Sequence, residues 1–407
     1  MRNLSRRDCL SLAAAAAGCL PFEDAFAGAE TAARPAGIAP GGLNTIARSK
    51  GVHFGSIVNT GGYIGLEPER RFWLDGLIED PNMLALLLDQ CGIMTTANAF
   101  KWFVARPAPD VFDFKDADNL VAFAQKHQVA LRGHTLLWNR DVQLPTWVPK
   151  YDFGNKPAAE AERLLVEYVS KACRRYDGRV FSFDVMNEGI APDTGEIEAS
   201  VFNKYLGLGT YEVVFHTARE NAPHAQLVYN DYMSWKPKDE AHRTGVLKLL
   251  EHMKKKNAPV DALGIQSHIG SSKAPLDADG FEQVNEKAWR KFLDEVTGMG
   301  LDLVITEFDV NDRYLPADIA TRDALVAEFA KRYLDLMLSY PQLRFVVAWG
   351  LVDKYSWLQF NTRRPDKLAK RTLPYDSDYR PKQLREAMAQ AFAAAPERQP
   401  LKLTPAG

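Results

Sequence analysis

Four cysteines in 407 residues, with no Cys-x-x-Cys pair among them, leave this chain without a zinc ribbon or a disulfide framework. Cys9 and Cys19 belong to an N-terminal leader, and Cys91 and Cys173 sit in helix-like stretches where buried thiols are expected. Excess charge is also missing: 50 Lys and Arg stand against 52 Asp and Glu, so bulk electrostatics offer nothing to nucleic acid or an anionic membrane. HExxH, GxSxG, the P-loop and GxGxxG are all absent, and His53 stands alone where a barrel zinc site would want His-x-His. Phosphoryl, acyl, hydride and zinc chemistry lose ground together, and a neutral partner is favoured.

The first residues carry Arg6 and Arg7, an apolar run from Cys9 to Phe22 and then Ala25-Phe26-Ala27. That run is too short to span a bilayer, so it reads as a twin-arginine export signal cleaved after residue 27. The alternative, a lipid anchor at Cys19, meets Ala16 where a larger aliphatic residue is usual. Residues 28–42 are rich in Ala, Gly and Pro and read as a linker. A periplasmic or secreted protein is expected, with no membrane span and as a monomer.

What is present is alternation. Short β-branched or apolar runs occur at 53–59, 93–99, 130–138, 181–188, 226–232, 262–268, 302–310 and 345–353. Helical stretches at 81–90, 116–127, 158–175, 238–256, 286–299 and 318–339 carry apolar residues at three-to-four spacing. Eight strand-like runs alternating with helices imply a closed parallel (β/α)₈ barrel over residues 43–396, leaving 397–407 as a tail.

Polar and aromatic residues gather where the runs end: Asn98, His134 with Trp138, Asn187-Glu188, Asn230-Asp231, Gln266 with His268, Glu307 with Asp309, and Trp349 with Asp353. In a barrel these ends share one mouth, where active sites lie. Glu188 and Glu307, from strands four and seven, could flank one bond at the roughly 5 Å that retaining glycosidases use. Glu188 follows apolar Val185-Met186 and would be desolvated, while Asp309 and His268 could keep Glu307 ionised. Asn187 could bond a sugar 2-hydroxyl, and Trp138, Trp349 and Trp357 could wall a sugar site. Taken singly, each has a bland reading as a salt-bridged or packing side chain.

The segments TTANAFKW (Thr95–Trp102), RGHTLLW (Arg132–Trp138), FDVMNEGIAPD (Phe183–Asp193), LVYNDY (Leu227–Tyr232), GIQSHI (Gly264–Ile269), VITEFDVND (Val304–Asp312) and AWGLVDKYSW (Ala348–Trp357) resemble glycoside hydrolase family 10, the barrel xylanases. The resemblance implies Glu188 as acid/base and Glu307 as nucleophile, with His268 and Asp309 tuning the latter. It further implies that Asn98, Lys101, His134, Trp138, Asn187 and Gln266 hold sugars on the non-reducing side. Asn230 would lie close to the acid/base, and Trp349 and Trp357 would form aromatic walls. Its implied activity is cleavage of internal β-1,4 bonds of xylan with retention, needing no metal and no cofactor. Another β-1,4-glycan as substrate, or a barrel that binds xylan fragments without cutting them, remain the alternatives.

Three departures from the family pattern bear on the groove. Ala97 stands where a Glu is usual, Asn139 replaces a His with Gln143 displaced by two positions, and Thr60–Asp75 forms a long loop after strand one. Together they imply altered distal subsites on the glycone side.

Overall fold

A computed structural model describes residues 41–58, 80–272 and 275–403, all within one compact unit. The leader, the linker up to Pro40 and the Thr60–Asp75 loop lie outside the described residues.

Eight strands form the barrel: β1 (His53–Val58), β2 (Ile93–Thr96), β3 (Ala130–Gly133), β4 (Ser182–Asn187), β5 (Gln226–Asp231), β6 (Ala262–Ile265), β7 (Asp302–Asp312) and β8 (Leu343–Ala348). Each pairs in parallel with the next, and β8 returns to β1 through His53 opposite Phe345 and Ser56 opposite Ala348, which closes the sheet. Apart from a half-exposed residue near the start of some strands, their residues are buried, as expected when helices cover the outside and side chains fill the inside.

The principal helix after each strand is α1 (Pro81–Gln90), α2 (Lys115–His127), α3 (Pro157–Tyr176), α4 (Gly209–Asn221), α5 (Glu240–Lys255), α6 (Glu286–Gly298), α7 (Ile319–Leu338) and α8 (Gln383–Ala394). Local signals set several starts. Asp80 Oδ1 accepts from the N–H groups of Asn82 and Met83 ahead of Pro81, and Asn285 and Asp318 cap α6 and α7 in the same way. On α3 the buried residues Ala161, Leu164, Leu165, Tyr168, Val169, Ala172, Cys173 and Tyr176 form one stripe against the barrel. Cys91 and Cys173 are both free and buried. The apolar spacing marks six of these helices; α4 and α8 are added by the fold. α4 is rich in β-branched and aromatic residues of low helix propensity, and the alanines of α8 give little contrast between its faces.

Two short extensions shape the mouth. Beyond β3, Leu137–Trp138 pairs with β4, placing Trp138 opposite Asn187. Beyond β6, Ser267 adopts a left-handed φ of 63° and His268–Ser271 re-forms a strand on β7, placing His268 opposite Asp309.

At the other end of the barrel, Ile93, Ala130, Phe181, Val228, Ala262, Val304, Phe345 and Val347 form a separate apolar cluster. Leu401 and Leu403 pack against it, and the Leu401 carbonyl lies 3.1 Å from His53 Nε2. Of the segment assigned to a tail, residues 397–403 therefore lie against the barrel base. Arg398 fastens them by donating to the carbonyls of Leu338, Tyr340 and Leu343. Among the described residues no helix is long and apolar enough to cross a membrane.

Phe345 anchors this layer: it is fully buried, meets Phe181 edge-on at 5.9 Å and lies 5.6 Å beneath the Arg132 guanidinium. Phe345→Ala should lower the unfolding free energy by about 3–5 kcal/mol in chemical denaturation. A loss below about 1 kcal/mol would show that the base is not packed in this way.

Candidate active site

The mouth encloses a cavity of about 640 Å³ lined by Asn98, Lys101, His134, Trp138, Asn187, Glu188, Gln266, His268, Glu307, Asp309, Trp349 and Trp357. The fold thus gathers twelve of the thirteen residues expected at the site. Asn230 is the exception. Its side chain is fully buried beneath the floor, donating to Asn187 Oδ1 at 2.8 Å and Glu307 Oε1 at 2.9 Å and accepting from Thr306 Oγ1 at 2.6 Å. All its side-chain polar atoms are engaged by protein, its amide serving Glu307 and Asn187, while its backbone carbonyl accepts from the Glu188 N–H at 2.9 Å and so places it close to Glu188 as expected. Gly264 makes this possible: a Cβ there would come within 2.5 Å of Asn230 Oδ1.

Glu307 receives two donors. Asn230 occupies Oε1, and His268 Nε2 lies 3.2 Å from Oε2. The other face of the His268 ring, Nδ1, is 3.0 Å from Asp309 Oδ1, and Asp309 Oδ2 accepts from Trp357 Nε1 at 2.6 Å. Burial would push the Glu307 carboxyl up, but the hydrogen bond from His268 and the charges of His134, His268 and Lys101 outweigh it and hold it down at about 2. Burial opposes the charge on His268 too, yet the Asp309 and Glu307 carboxylates raise that imidazole to about 10. Lys101 falls to about 8 through burial, against the pull of Glu307, Glu188 and Asp184.

Glu188 is governed differently. It follows directly on β4 with a left-handed φ of 52°, a conformation that costs a side-chain-bearing residue about 1–3 kcal/mol and is held by its N–H bonding to the Asn230 carbonyl at 2.9 Å. A register shift between Asp184 and Met186 gives β4 one extra residue relative to β5, bringing Asn187 opposite Asn230. Burial raises the Glu188 carboxyl; the Asp231 and Glu307 charges add to this, while bonds from Gln266 at 2.9 Å and Trp138 at 3.0 Å oppose it. Gln266 and Trp138, expected to touch sugars, thus also hold Glu188.

A second tier fixes the walls. Asp184, fully buried, takes His134 Nδ1 at 2.8 Å and a short bond from Arg132, which settles the imidazole's orientation. Lys101 Nζ donates to Asn98 at 3.1 Å and lies 4.7 Å over the Trp138 ring. The Trp357 ring lies 5.0 Å from His268, and Trp349 meets His134 edge-on at 5.5 Å. Asn139 does not reach the groove: its amide is buried between Asn203 and Ser200 at 2.8 and 2.7 Å. The next residue, Arg140, lines the cavity instead, as do Asp193, Tyr232, Lys236 and Asn311. Arg132 and Asp184 carried a readable signal, since charged residues inside apolar strand runs must find partners; nothing in the local pattern marks Arg140. No cluster able to hold a metal ion occurs among the described residues.

Two carboxylates in one cavity, one kept ionised and one pushed toward its protonated form, are what double displacement at an acetal carbon requires, and a barrel supplying them among carboxamides and indoles is a glycoside hydrolase. Comparison with known proteins narrows the class. The profile of glycosyl hydrolase family 10 matches residues 42–391, and the chain belongs to that family. It is 28% identical over 320 residues to endo-1,4-beta-xylanase B of Thermotoga neapolitana, spanning 79% of this chain and 85% of that one. To the beta-1,4-xylanase of Dictyoglomus thermophilum it is 30% identical, covering 68% and 75%. Native xylanase 10B of Thermotoga maritima superposes with a TM-score of 0.71 at 26% identity, over 86% of this chain and 98% of that one.

The shifts fix a pH dependence. Glu307, depressed from 4.5 to about 2, stabilises the fold fully above 4.5, and this fades as pH falls toward 2. His268, raised from 6.5 to about 10, contributes fully below 6.5 and loses its effect as pH rises toward 10. His268 should accordingly stay protonated throughout pH 6–8 in an NMR titration of its ring, and Glu307→Gln should lower its midpoint. A wild-type midpoint near the ordinary histidine value of about 6.5 would contradict the arrangement.

Proposed function

We propose that this chain is an exported retaining endo-β-1,4-xylanase, in which Glu307 attacks the anomeric carbon and Glu188 protonates the departing oxygen. The observation that carries the reading is the opposed bias of the two carboxylates. Glu307 is held ionised by His268 and Asn230, and Glu188 is pushed toward its neutral form by burial beside Asp231 and Glu307. In the first step the C–O bond breaks as the Glu307 ester forms and the Glu188 proton moves to the leaving sugar. Glu188, now ionised, takes a proton from water as the water oxygen displaces Glu307, returning the original configuration. Asn187, its carbonyl oxygen already taken by Asn230, has an amide N–H to offer the 2-hydroxyl. Asn98, Lys101, His134, Trp349 and Trp357 bind the glycone. The names of the curated relatives support xylan as substrate, and the paired arginines before the apolar run support twin-arginine export.

Ala97 alters the glycone side. In place of a carboxylate, the wall there is an apolar group of Ile57, Ala97, Trp349 and Trp357. Distal sugars lose a charged hydrogen-bond partner, a contact of about 1.5–3 kcal/mol.

Glu307→Ala should abolish turnover on every glycoside. Glu188→Ala should slow xylo-oligosaccharide cleavage by about 10²–10⁴-fold while sparing the first step on aryl glycosides with activated leaving groups. Proton NMR of nascent product should show the β anomer first; the α anomer would refute retention. Across xylotriose to xylohexaose, kcat/KM should rise only weakly with length, whereas a steep rise on unbranched chains would sink the altered-subsite reading.

A further inference from the structure

We propose that Arg140, suspended between Glu188 and Glu198, is a positioning residue that sets the pH at which Glu188 holds its proton. The inference rests on the acid/base reading of Glu188.

Arg140 follows the site residue Trp138 by two positions, in a loop pinned on both sides. Asn139 is locked to Asn203 and Ser200, Asp141 Oδ1 accepts from the Val201 N–H at 2.8 Å, and the Arg140 N–H bonds the Trp138 carbonyl at 2.9 Å. From this base the guanidinium spans two carboxylates: Nη1 lies 3.2 Å from Glu188 Oε2 and Nε lies 3.0 Å from Glu198 Oε1. The side chains of Glu188 and Glu198 are only 12% and 17% exposed, so solvent screens these pairs less than it would at the surface.

Glu188 Oε2 already accepts from Trp138 Nε1, so the Arg140 contact makes two donors on one oxygen, with Gln266 on the other. Three donors suit a carboxylate; a carboxylic acid must itself donate through one of those oxygens. Trp138 and Gln266 carry no charge. Among the described residues, Arg140 is the cation in hydrogen-bonding contact with Glu188, and Glu198 holds the same guanidinium at 3.0 Å. The other groups acting on Glu188 are Asp231 with its bonded His242 behind it, Glu307 across the cavity, Lys101 and Tyr232. Burial and the Asp231 and Glu307 charges favour the protonated form of Glu188, whereas the Arg140 guanidinium at 3.2 Å favours its carboxylate.

Removing Arg140 or Glu198 should therefore move Glu188 in opposite directions. In a kcat/KM–pH profile on xylotetraose, Arg140→Gln should shift the alkaline limb upward by about one pH unit, with the acidic limb in place. Glu198→Gln frees Arg140 for Glu188 and removes a nearby negative charge, so it should shift the same limb downward. Arg140→Lys should return the limb toward its wild-type position. Limbs that stay fixed in both variants, or that move the same way, overturn the inference, as does a change confined to KM, which would make Arg140 a sugar-binding group. If Glu188→Ala retains wild-type turnover on xylotetraose, the acid/base reading itself fails; if that variant is inactive while the Arg140→Gln limb is unmoved, only the Arg140 inference fails.

Discussion

Keeping Glu307 charged inside a protein is the costly act on which this cavity depends. A buried carboxylate without partners would take up a proton, and here the hydrogen bond from His268 reverses that tendency. His268 can do so because Asp309 backs it from the other side of the ring and Trp357 fixes Asp309 in turn. The same need explains the floor, where Asn230 spends its amide on Glu307 and Asn187 and is itself oriented by Thr306.

Glu188 answers to the opposite requirement within the same electric field. Once Glu307 is ionised, its charge and that of Asp231 disfavour a second carboxylate, so one constraint helps to create the other. The geometry that keeps the pair distinct comes from irregular backbone. The left-handed turn at Ser267 lets His268 return to β7 opposite Asp309, and the left-handed Glu188 turns out of β4 at the point where a register shift has brought Asn187 opposite Asn230. Closure of the regular barrel supplies the rigid frame, and its departures from regularity at the mouth aim the side chains.

Much of this was legible in the residues. Eight apolar runs alternating with helical spacing pointed to a closed parallel barrel, which buries both faces of every strand while keeping crossovers short. Glu188, Glu307, His268 and Asp309 could be picked out because each ends a run that should be apolar. Less legible were the partners fixed by side-chain direction. Asn230 reads as a groove residue on spacing alone but is turned under the floor; Gln266 and Trp138 read as sugar contacts but also bond Glu188; Asn139 reads as a groove residue but is buried against Asn203 and Ser200.

The sequence by itself determined the fold class, the strand ends from which the site is built and the two glutamates at its centre, since periodicity and residue type are local properties that survive without coordinates. Only the tertiary structure decided that Asn230 joins His268 on Glu307, that Gln266 and Trp138 hold Glu188, and that Arg140 bridges Glu188 and Glu198. Those outcomes depend on distance and burial between residues far apart in the chain, His268 and Glu307 by 39 positions, Arg140 and Glu188 by 48 and Asn230 and Glu307 by 77, and electrostatic coupling follows separation in space rather than in sequence.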